Sequence, residues 1–128
     1  MNGYIDTMVA MWLAHENMHW KLSSAAKQLI DRSEKLLLSP MVVFELKAIH
    51  RKKQMEKTPA EVVLTLEGIG GIEICRHPFA EVVMAAIKLD WTTDPGDAMI
   101  VGQAIANCNA PLITSDRNIR AHYAAAIW

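Results

Sequence analysis

Four short apolar runs divide the chain at intervals: Tyr4-Ile5 and residues 36–38, 72–75 and 112–114. Each run is followed by a stretch whose apolar residues recur with helical periodicity, so each is interpreted as a short strand before a helix. Buried strands that alternate with helices are typical of a parallel sheet. The pattern therefore predicts one α/β domain over residues 1–128, with a central parallel sheet flanked by helices in three layers.

Capping residues mark where several helices begin. Ser39-Pro40 places a hydroxyl before a first-turn proline, and residues 58–61 (Thr-Pro-Ala-Glu) form a capping box. Residues 94–97 repeat that design with carboxylates. The glycines of 68–71 lack the Lys-Ser/Thr that follows in a phosphate-binding loop, so they indicate a turn from helix to strand.

Two acidic residues directly follow strand runs. Asp6 comes after the first run, and Asp116 comes after the fourth. Sites in open α/β sheets form beyond the carboxyl ends of the strands, so these two carboxylates are expected at one rim. The alternative for each is a structural role as a helix N-cap.

Glu45 lies on the helix that begins at Pro40, near the middle of an apolar arc. The arc consists of Met41, Val42, Phe44, Ala48 and Ile49. A carboxylate on a buried face is costly unless a metal ion or a cationic side chain accompanies it. The sequence therefore leaves two interpretations for Glu45, a metal ligand or one half of a buried salt bridge.

Asp97 heads the inward stripe of its own helix, one turn before Ile100 and Val101. A first-turn acid also interacts favourably with the helix dipole, which explains its presence but not its direction. Four carboxylates at one rim repel each other without a counter-ion. Hard oxygen ligands suit Mg²⁺ or Mn²⁺, and such ions support in-line hydrolysis of a phosphodiester.

Composition narrows the class further. The 13 basic and 14 acidic side chains give a net charge of −1, which excludes a binder held to phosphate by bulk charge. Cys75 and Cys108 are isolated, no apolar run is long enough to cross a membrane, and the first residues lack the basic segment of a signal peptide. These observations predict a cytoplasmic protein without structural disulfides.

Taken together, the acidic segments resemble the motifs of PIN-domain ribonucleases, and among them the VapC-like toxins of bacterial toxin–antitoxin pairs. The matching segments are YIDT at 4–7, SPMVVFEL at 39–46, WTTDPGD at 91–97 and LITSD at 112–116. The terminal Ile127-Trp128 also fits one branch of the family. Ala98 departs from the pattern, because relatives often carry a basic residue there.

The resemblance implies a homodimeric, Mg²⁺- or Mn²⁺-dependent endoribonuclease that cleaves RNA and is blocked by a small antitoxin protein. It assigns metal binding and catalysis to Asp6, Glu45, Asp97 and Asp116. It assigns supporting roles to Thr7, Asp94, Thr114 and Ser115. A non-catalytic protein that uses the same fold to bind a partner is the alternative.

Residues 15–19 present a competing motif, because His-Glu-Asn-Met-His matches the HExxH signature of zinc metallopeptidases. Leu22 and Ala25 occupy the glycine and histidine positions of the metzincin continuation, and only Glu34 or Glu45 remains as a third ligand. Ser23-Ser24 caps a following helix, so the motif is expected in a loop rather than in a continuous helix.

A basic concentration follows Glu45 on the same helix. It comprises Lys47, His50, Arg51, Lys52, Lys53 and Lys57. Either this is a solvated helix face, or Arg51, Lys52 and Lys53 contact RNA phosphates or a protein partner.

Overall fold

The computed structural model describes residues 2–128, and its centre is a five-stranded parallel sheet. The strands are β1 (Asn2–Ile5), β2 (Lys35–Leu38), β3 (Glu73–Ile74), β4 (Leu112–Ile113) and β5 (Ala126–Ile127). Their order in the sheet is β3-β2-β1-β4-β5. The chain therefore proceeds outward from β1 in one direction and then returns to its other side, which makes the β1–β4 boundary the topological switch point.

Seven α-helices flank the sheet. They are α1 (Thr7–Ala14), α2 (Ser24–Arg32), α3 (Pro40–Arg51), α4 (Pro59–Gly70), α5 (Phe79–Ala86), α6 (Pro95–Ala106) and α7 (Arg117–His122). A 3₁₀ helix, Glu16–Lys21, follows α1. The predicted three-layer α/β architecture is confirmed.

The core is built from the inward residues of β1, β2 and β4 and of the helices that cover them. Ile5, Leu38 and Ile113 are fully buried in the sheet, with Val9 of α1 and Leu66 of α4 packed beside them. Each strand is short, so the polar residue that directly follows its apolar run lies at the edge of the sheet. This core therefore fixes the positions of the residues that follow β1 and β4.

The predicted helix starts are confirmed. Ser39 caps α3, and Thr58 with Glu61 forms a complete capping box on α4. The predicted glycine turn is narrower than residues 68–71, because α4 continues through Gly70. Gly71 alone ends the helix, in the left-handed conformation at φ 64°, where a residue without Cβ is unstrained.

Two sequence expectations need correction. The four apolar runs omit β5, which pairs with β4 at the edge of the sheet. The buried face of α3 is also not the predicted arc, since Val42 and Leu46 are its buried residues while Phe44 is 64 % exposed. Phe44 therefore belongs to the surface, and Glu45 lies half-buried beside the true inward face rather than at the centre of an apolar one.

No helix within residues 2–128 is long and apolar enough to cross a membrane. Cys75 and Cys108 are both free thiols, as their isolation in the sequence predicts.

Candidate active site

A cavity of about 350 Å³ opens at the carboxyl edge of the sheet, beside the β1–β4 boundary. All four predicted acids line it, namely Asp6, Glu45, Asp97 and Asp116. They come from four parts of the chain: the ends of β1 and β4, the middle of α3 and the first turn of α6. The fold thus brings together the residues that the sequence placed at one rim.

Asp6 is the most constrained of the four. It is buried at the start of α1, where its Oδ1 accepts a hydrogen bond from the backbone N–H of Thr7 at 2.7 Å. Its Oδ2 accepts from the hydroxyl of Thr114 at 2.5 Å. Burial raises the pKa of Asp6, the two hydrogen bonds oppose that rise, and the neighbouring charge of Asp116 adds to it.

Glu45 is held from the neighbouring helix. The hydroxyl of Thr7 donates to its Oε1 at 2.5 Å, and Glu45 forms no ion pair with any other residue in the described part of the chain. The buried salt bridge that the sequence left open is therefore absent there. Burial raises the pKa of Glu45, the Thr7 bond opposes this, and the charges of Asp6 and Asp94 contribute further upward.

Gly96 lies directly against the Glu45 carboxylate. A Cβ added at Gly96 would collide with Oε2 of Glu45 and would lie 2.9 Å from its Cδ. This glycine, in the first turn of α6, therefore leaves the space that the carboxylate occupies. No local pattern in the sequence marks Gly96 as part of the site, because its role depends on the packing of α3 against α6.

Asp97 is partly buried and lies among the other acids of the cavity. Burial, followed by the charges of Asp94, Asp116, Asp6 and Glu45, raises its pKa to about 7. The backbone N–H of Asp97 donates to Oδ1 of Asp94 at 3.1 Å. Asp94 is thus the N-cap of α6, lies outside the cavity lining and acts on its acids through charge.

Asp116 and its neighbours form the fourth wall. Oδ1 of Asp116 accepts from the backbone N–H of Ile119 at 2.8 Å, so Asp116 caps α7. Its own N–H donates to the Thr114 hydroxyl at 3.0 Å, which connects it to Asp6 through that threonine. Ser115 lines the cavity. Asp6 and Asp116 therefore have both of the roles that the sequence offered, as helix caps and as acids at one rim.

The donor set fits a hard divalent cation. Every candidate ligand is a carboxylate oxygen, and the raised pKa values of three of the acids reflect burial and mutual repulsion that a cation would relieve. No three His, Cys, Asp or Glu side chains among residues 2–128 converge as a closed ligand set. Mg²⁺ binds through one or two carboxylates with retained waters, so it does not require such a set.

Comparison with known proteins identifies the family of the chain. The family model for the PIN domain matches residues 3–125. The chain belongs to the PIN-domain family. No curated protein sequence matches it.

Solved structures of similar fold align over nearly the whole chain. A chain in the crystal structure of VapBC2 from Rickettsia felis, bound to a DNA fragment from their promoter, aligns over 99 % of this chain and 96 % of its own length, with TM-score 0.62 and 16 % identity. A chain of a toxin–antitoxin complex from Klebsiella pneumoniae aligns over 98 % and 96 %, with TM-score 0.65 and 15 % identity. At these identities the likeness concerns the fold.

The HExxH segment of this PIN domain lacks the geometry of a helical zinc motif. α1 ends at Ala14 with His15 as its C-cap, and the next residues form the 3₁₀ helix. The motif therefore does not lie on one continuous helix, which agrees with the expectation from the sequence. Nδ1 of His15 bonds to the carbonyl of Met11 at 2.8 Å, and its Nε2 accepts from the N–H of Lys57 at 3.3 Å. Nε2 of His19 bonds to the carbonyl of Leu13 at 2.8 Å. Both imidazoles thus form hydrogen bonds with backbone groups.

The basic cluster lies next to the acidic cavity of the PIN domain. Ala48 and Ile49 line the cavity, and Lys52 follows them by one helical turn at the end of α3. Arg51, Lys52 and Lys53 are all exposed. Ala48, Ile49 and Met8 are lining residues that the sequence did not indicate, because apolar side chains at a polar site carry no chemical signature.

Proposed function

We propose that this PIN domain is a metal-dependent endoribonuclease that hydrolyses a phosphodiester of RNA. The observation that carries the proposal is the meeting of four carboxylates from distant parts of the chain in one cavity at the switch point of the sheet. Clustered acids with raised pKa values destabilise a fold, so their presence together favours a functional explanation.

Asp6, Glu45, Asp97 and Asp116 are the proposed ligands of Mg²⁺ or Mn²⁺. When bound, such an ion supplies charge neutralisation for the phosphate, an activated water and stabilisation of the leaving oxygen. Met8, Ala48 and Ile49 contribute a neutral part of the lining of the same cavity.

Four polar residues are proposed as positioning residues. Thr7 orients Glu45, and Thr114 connects Asp6 with Asp116. Asp94 holds the first turn of α6 and with it Asp97. Ser115, in the cavity lining, is proposed to place a hydroxyl near the substrate phosphate.

The deciding experiment measures cleavage of a fluorescent oligoribonucleotide by wild type, Asp6→Asn and Asp97→Asn, with Mg²⁺ or Mn²⁺ and with EDTA. Loss of a ligand should lower the rate by more than the roughly 10–100-fold that is typical when a residue hydrogen-bonded to a metal ligand is changed. EDTA should stop the wild type, and either cation should restore it. Asp31→Asn, on the exposed face of α2, is the matched control and should cleave normally.

Full activity of either ligand variant would contradict the site assignment. Absence of any metal-dependent cleavage by a folded wild type would instead favour the non-catalytic partner-binding alternative. Melting temperatures of all variants, measured in the same buffers, separate loss of function from loss of fold.

We further propose that the chain is the toxin of a toxin–antitoxin pair and acts in the cytoplasm. The likeness in fold to the VapBC2 structure and to the Klebsiella pneumoniae complex supports a small antitoxin protein as its partner. Co-expression with the protein encoded by the neighbouring reading frame tests this, because an antitoxin should relieve growth arrest and suppress RNA cleavage in the purified complex.

A homodimer is also proposed. Four large apolar side chains on α3 and on or next to α5 are more than half exposed. They are Phe44 (64 %), Phe79 (69 %), Met84 (57 %) and Ile87 (64 %). Phe44 and Phe79 line one groove together with Met41 and Met99. Monomeric proteins rarely leave a contiguous apolar patch uncovered, so a second copy of the chain is the proposed occupant of this surface.

A further inference from the structure

A second cavity, of about 540 Å³, lies at the β5 edge of the sheet and combines positive charge with an indole. It is lined by Arg117, Arg120, Ala121, Ala126, Ile127 and Trp128. Both arginines are exposed, and neither forms an ion pair with a residue of the 2–128 range. Two free guanidinium groups one helical turn apart on α7 are therefore available to an anion.

This cavity adjoins the acidic one. Ile127 pairs with Ile113, so Trp128 is level with Thr114 at the carboxyl edge of the sheet. The N–H of Thr114 donates to the Ile127 carbonyl at 3.0 Å, while the hydroxyl of the same threonine donates to Asp6. Arg117 immediately follows Asp116. The arginines and the indole thus lie beside the acids, at the β5 edge of the sheet.

The chemistry of the cavity matches that of a nucleotide. A guanidinium binds phosphate through paired N–H donors, and an indole provides a face for base stacking that tolerates any sequence. Trp128 is braced by Trp12, whose ring centroid lies 5.8 Å away at an interplanar angle of 51°. A braced indole loses little conformational freedom when a base stacks on it.

We propose that this cavity is a binding subsite for one nucleotide of single-stranded RNA, with its phosphates on Arg117 and Arg120 and its base on Trp128. The proposal rests on the proposed nuclease function, since it extends the path of the substrate from the acidic cavity over α7. The proposal places RNA contacts on α7, which is separate from the basic cluster at the end of α3.

The first test measures binding of a fluorescein-labelled oligoribonucleotide in EDTA at several salt concentrations. Each lost phosphate contact should reduce the slope of log affinity against log salt by about 0.7. The double variant Arg117→Gln/Arg120→Gln should therefore lose about 1.4 of the slope, for two contacts. Arg32→Gln/Arg76→Gln removes the same charge from exposed positions on α2 and beyond β3, and should change the slope little.

The second test locates the base. An oligonucleotide carrying 4-thiouridine should crosslink on irradiation to the peptide that contains Trp128, as read by mass spectrometry. Trp128→Leu should weaken binding roughly tenfold, which corresponds to the loss of one stacked base. Trp128→Phe should retain most of the affinity, and it covers the case in which the leucine variant folds poorly.

The outcomes separate the subsite from the nuclease. If the wild type cleaves RNA but the arginine pair behaves as its control and Trp128 is not crosslinked, the subsite is wrong and the nuclease stands. If binding depends on the arginines but no variant or wild type cleaves, the subsite stands as a nucleic-acid site and the nuclease is wrong. If the wild type binds no oligonucleotide, both are overturned.

Discussion

At the scale of single residues, the protonation of Asp97 contributes to the dependence of stability on pH. Its folded-state pKa is about 7, against an ordinary value of 3.8, because it is buried among other acids. A carboxyl whose pKa is raised by folding holds its proton more tightly in the folded state. Its favourable contribution is therefore complete below the ordinary pKa and is lost as the pH rises to about 7.

The prediction is that the metal-free protein melts at a lower temperature at pH 8 than at pH 5, and that Asp97→Asn reduces this decrease. Melting temperatures in EDTA at both pH values provide the measurement. Asp31→Asn, in which an exposed acid is replaced, should keep the wild-type difference. If the melting temperature falls equally in Asp97→Asn and in the wild type, a raised pKa of Asp97 does not contribute to the dependence of stability on pH.

Glu45 gives a prediction of opposite sign to that of an ordinary buried ion pair. Its partner is the neutral hydroxyl of Thr7, which Gln can still accept from, so Glu45→Gln removes repulsion without leaving a cation unpaired. The variant should melt higher than wild type in EDTA and gain less on addition of Mg²⁺. Glu67→Gln, on the exposed face of α4, serves as control. A lower melting temperature in EDTA would make Glu45 a structural residue.

The sequence was sufficient to name these acids, because a carboxylate after an apolar run or on an inward face is locally anomalous. It did not reveal what each acid contacts. Thr7 and Glu45 are 38 positions apart, and Asp6 and Thr114 are 108 apart. Such pairings depend on how α1, α3 and β4 pack, which no local pattern records.

At the scale of the elements, α6 presents a glycine where a helix would ordinarily prefer alanine. Replacing an exposed helical glycine by alanine stabilises a protein by roughly 0.5–1 kcal/mol. Gly68→Ala on α4 should show that gain, because its added Cβ meets nothing within 4 Å. Gly96→Ala should lack the gain and should reduce metal-dependent cleavage, because its Cβ displaces the Glu45 carboxylate.

Chemical denaturation and cleavage rates of the two alanine variants form the measurement for Gly96. If Gly96→Ala is as stable and as active as Gly68→Ala, the carboxylate is free to move, and the close approach has no functional role.

The end of α3 allows a separate test of the basic cluster. Changing Arg51, Lys52 and Lys53 to Gln should lower the salt slope of RNA affinity by about 0.7 for each phosphate contact removed. A control with equal charge loss uses the exposed Lys27, Arg32 and Lys88. An unchanged slope would leave the end of α3 as a solvated surface.

The elements differ in how far the sequence could predict them. Helices with strong caps, such as α3 and α4, were predicted because capping chemistry is local. β5 was missed because it is recognised as a strand only through its pairing with β4 at the edge of the sheet. The exposure of Phe44 was missed because periodicity gives a helix face, whereas the neighbours decide which apolar residues on it are covered.

At the scale of the whole molecule, the exposed apolar residues of α3 and α5 predict self-association. Phe79→Ser/Ile87→Ser should convert a dimer into a monomer in sedimentation velocity, because both side chains are more than half exposed on that surface. Leu64→Ser replaces a similarly exposed residue, 66 % accessible on α4, and should leave the dimer intact. A monomeric wild type, or a monomer produced by Leu64→Ser alone, would contradict this assignment of the surface.

Two of the four acids in the cavity are also the caps of helices: Asp6 of α1 and Asp116 of α7. Asparagine caps a helix about as well as aspartate but carries no charge. Under the proposed ligand assignment, a gene copy that acquires Asn at Asp6 or Asp116 encodes a chain that loses metal-dependent cleavage and keeps its shape. Such a copy would continue to occupy partners and mixed assemblies, so inactivation at these positions would produce a competitor of the intact protein rather than a mere absence.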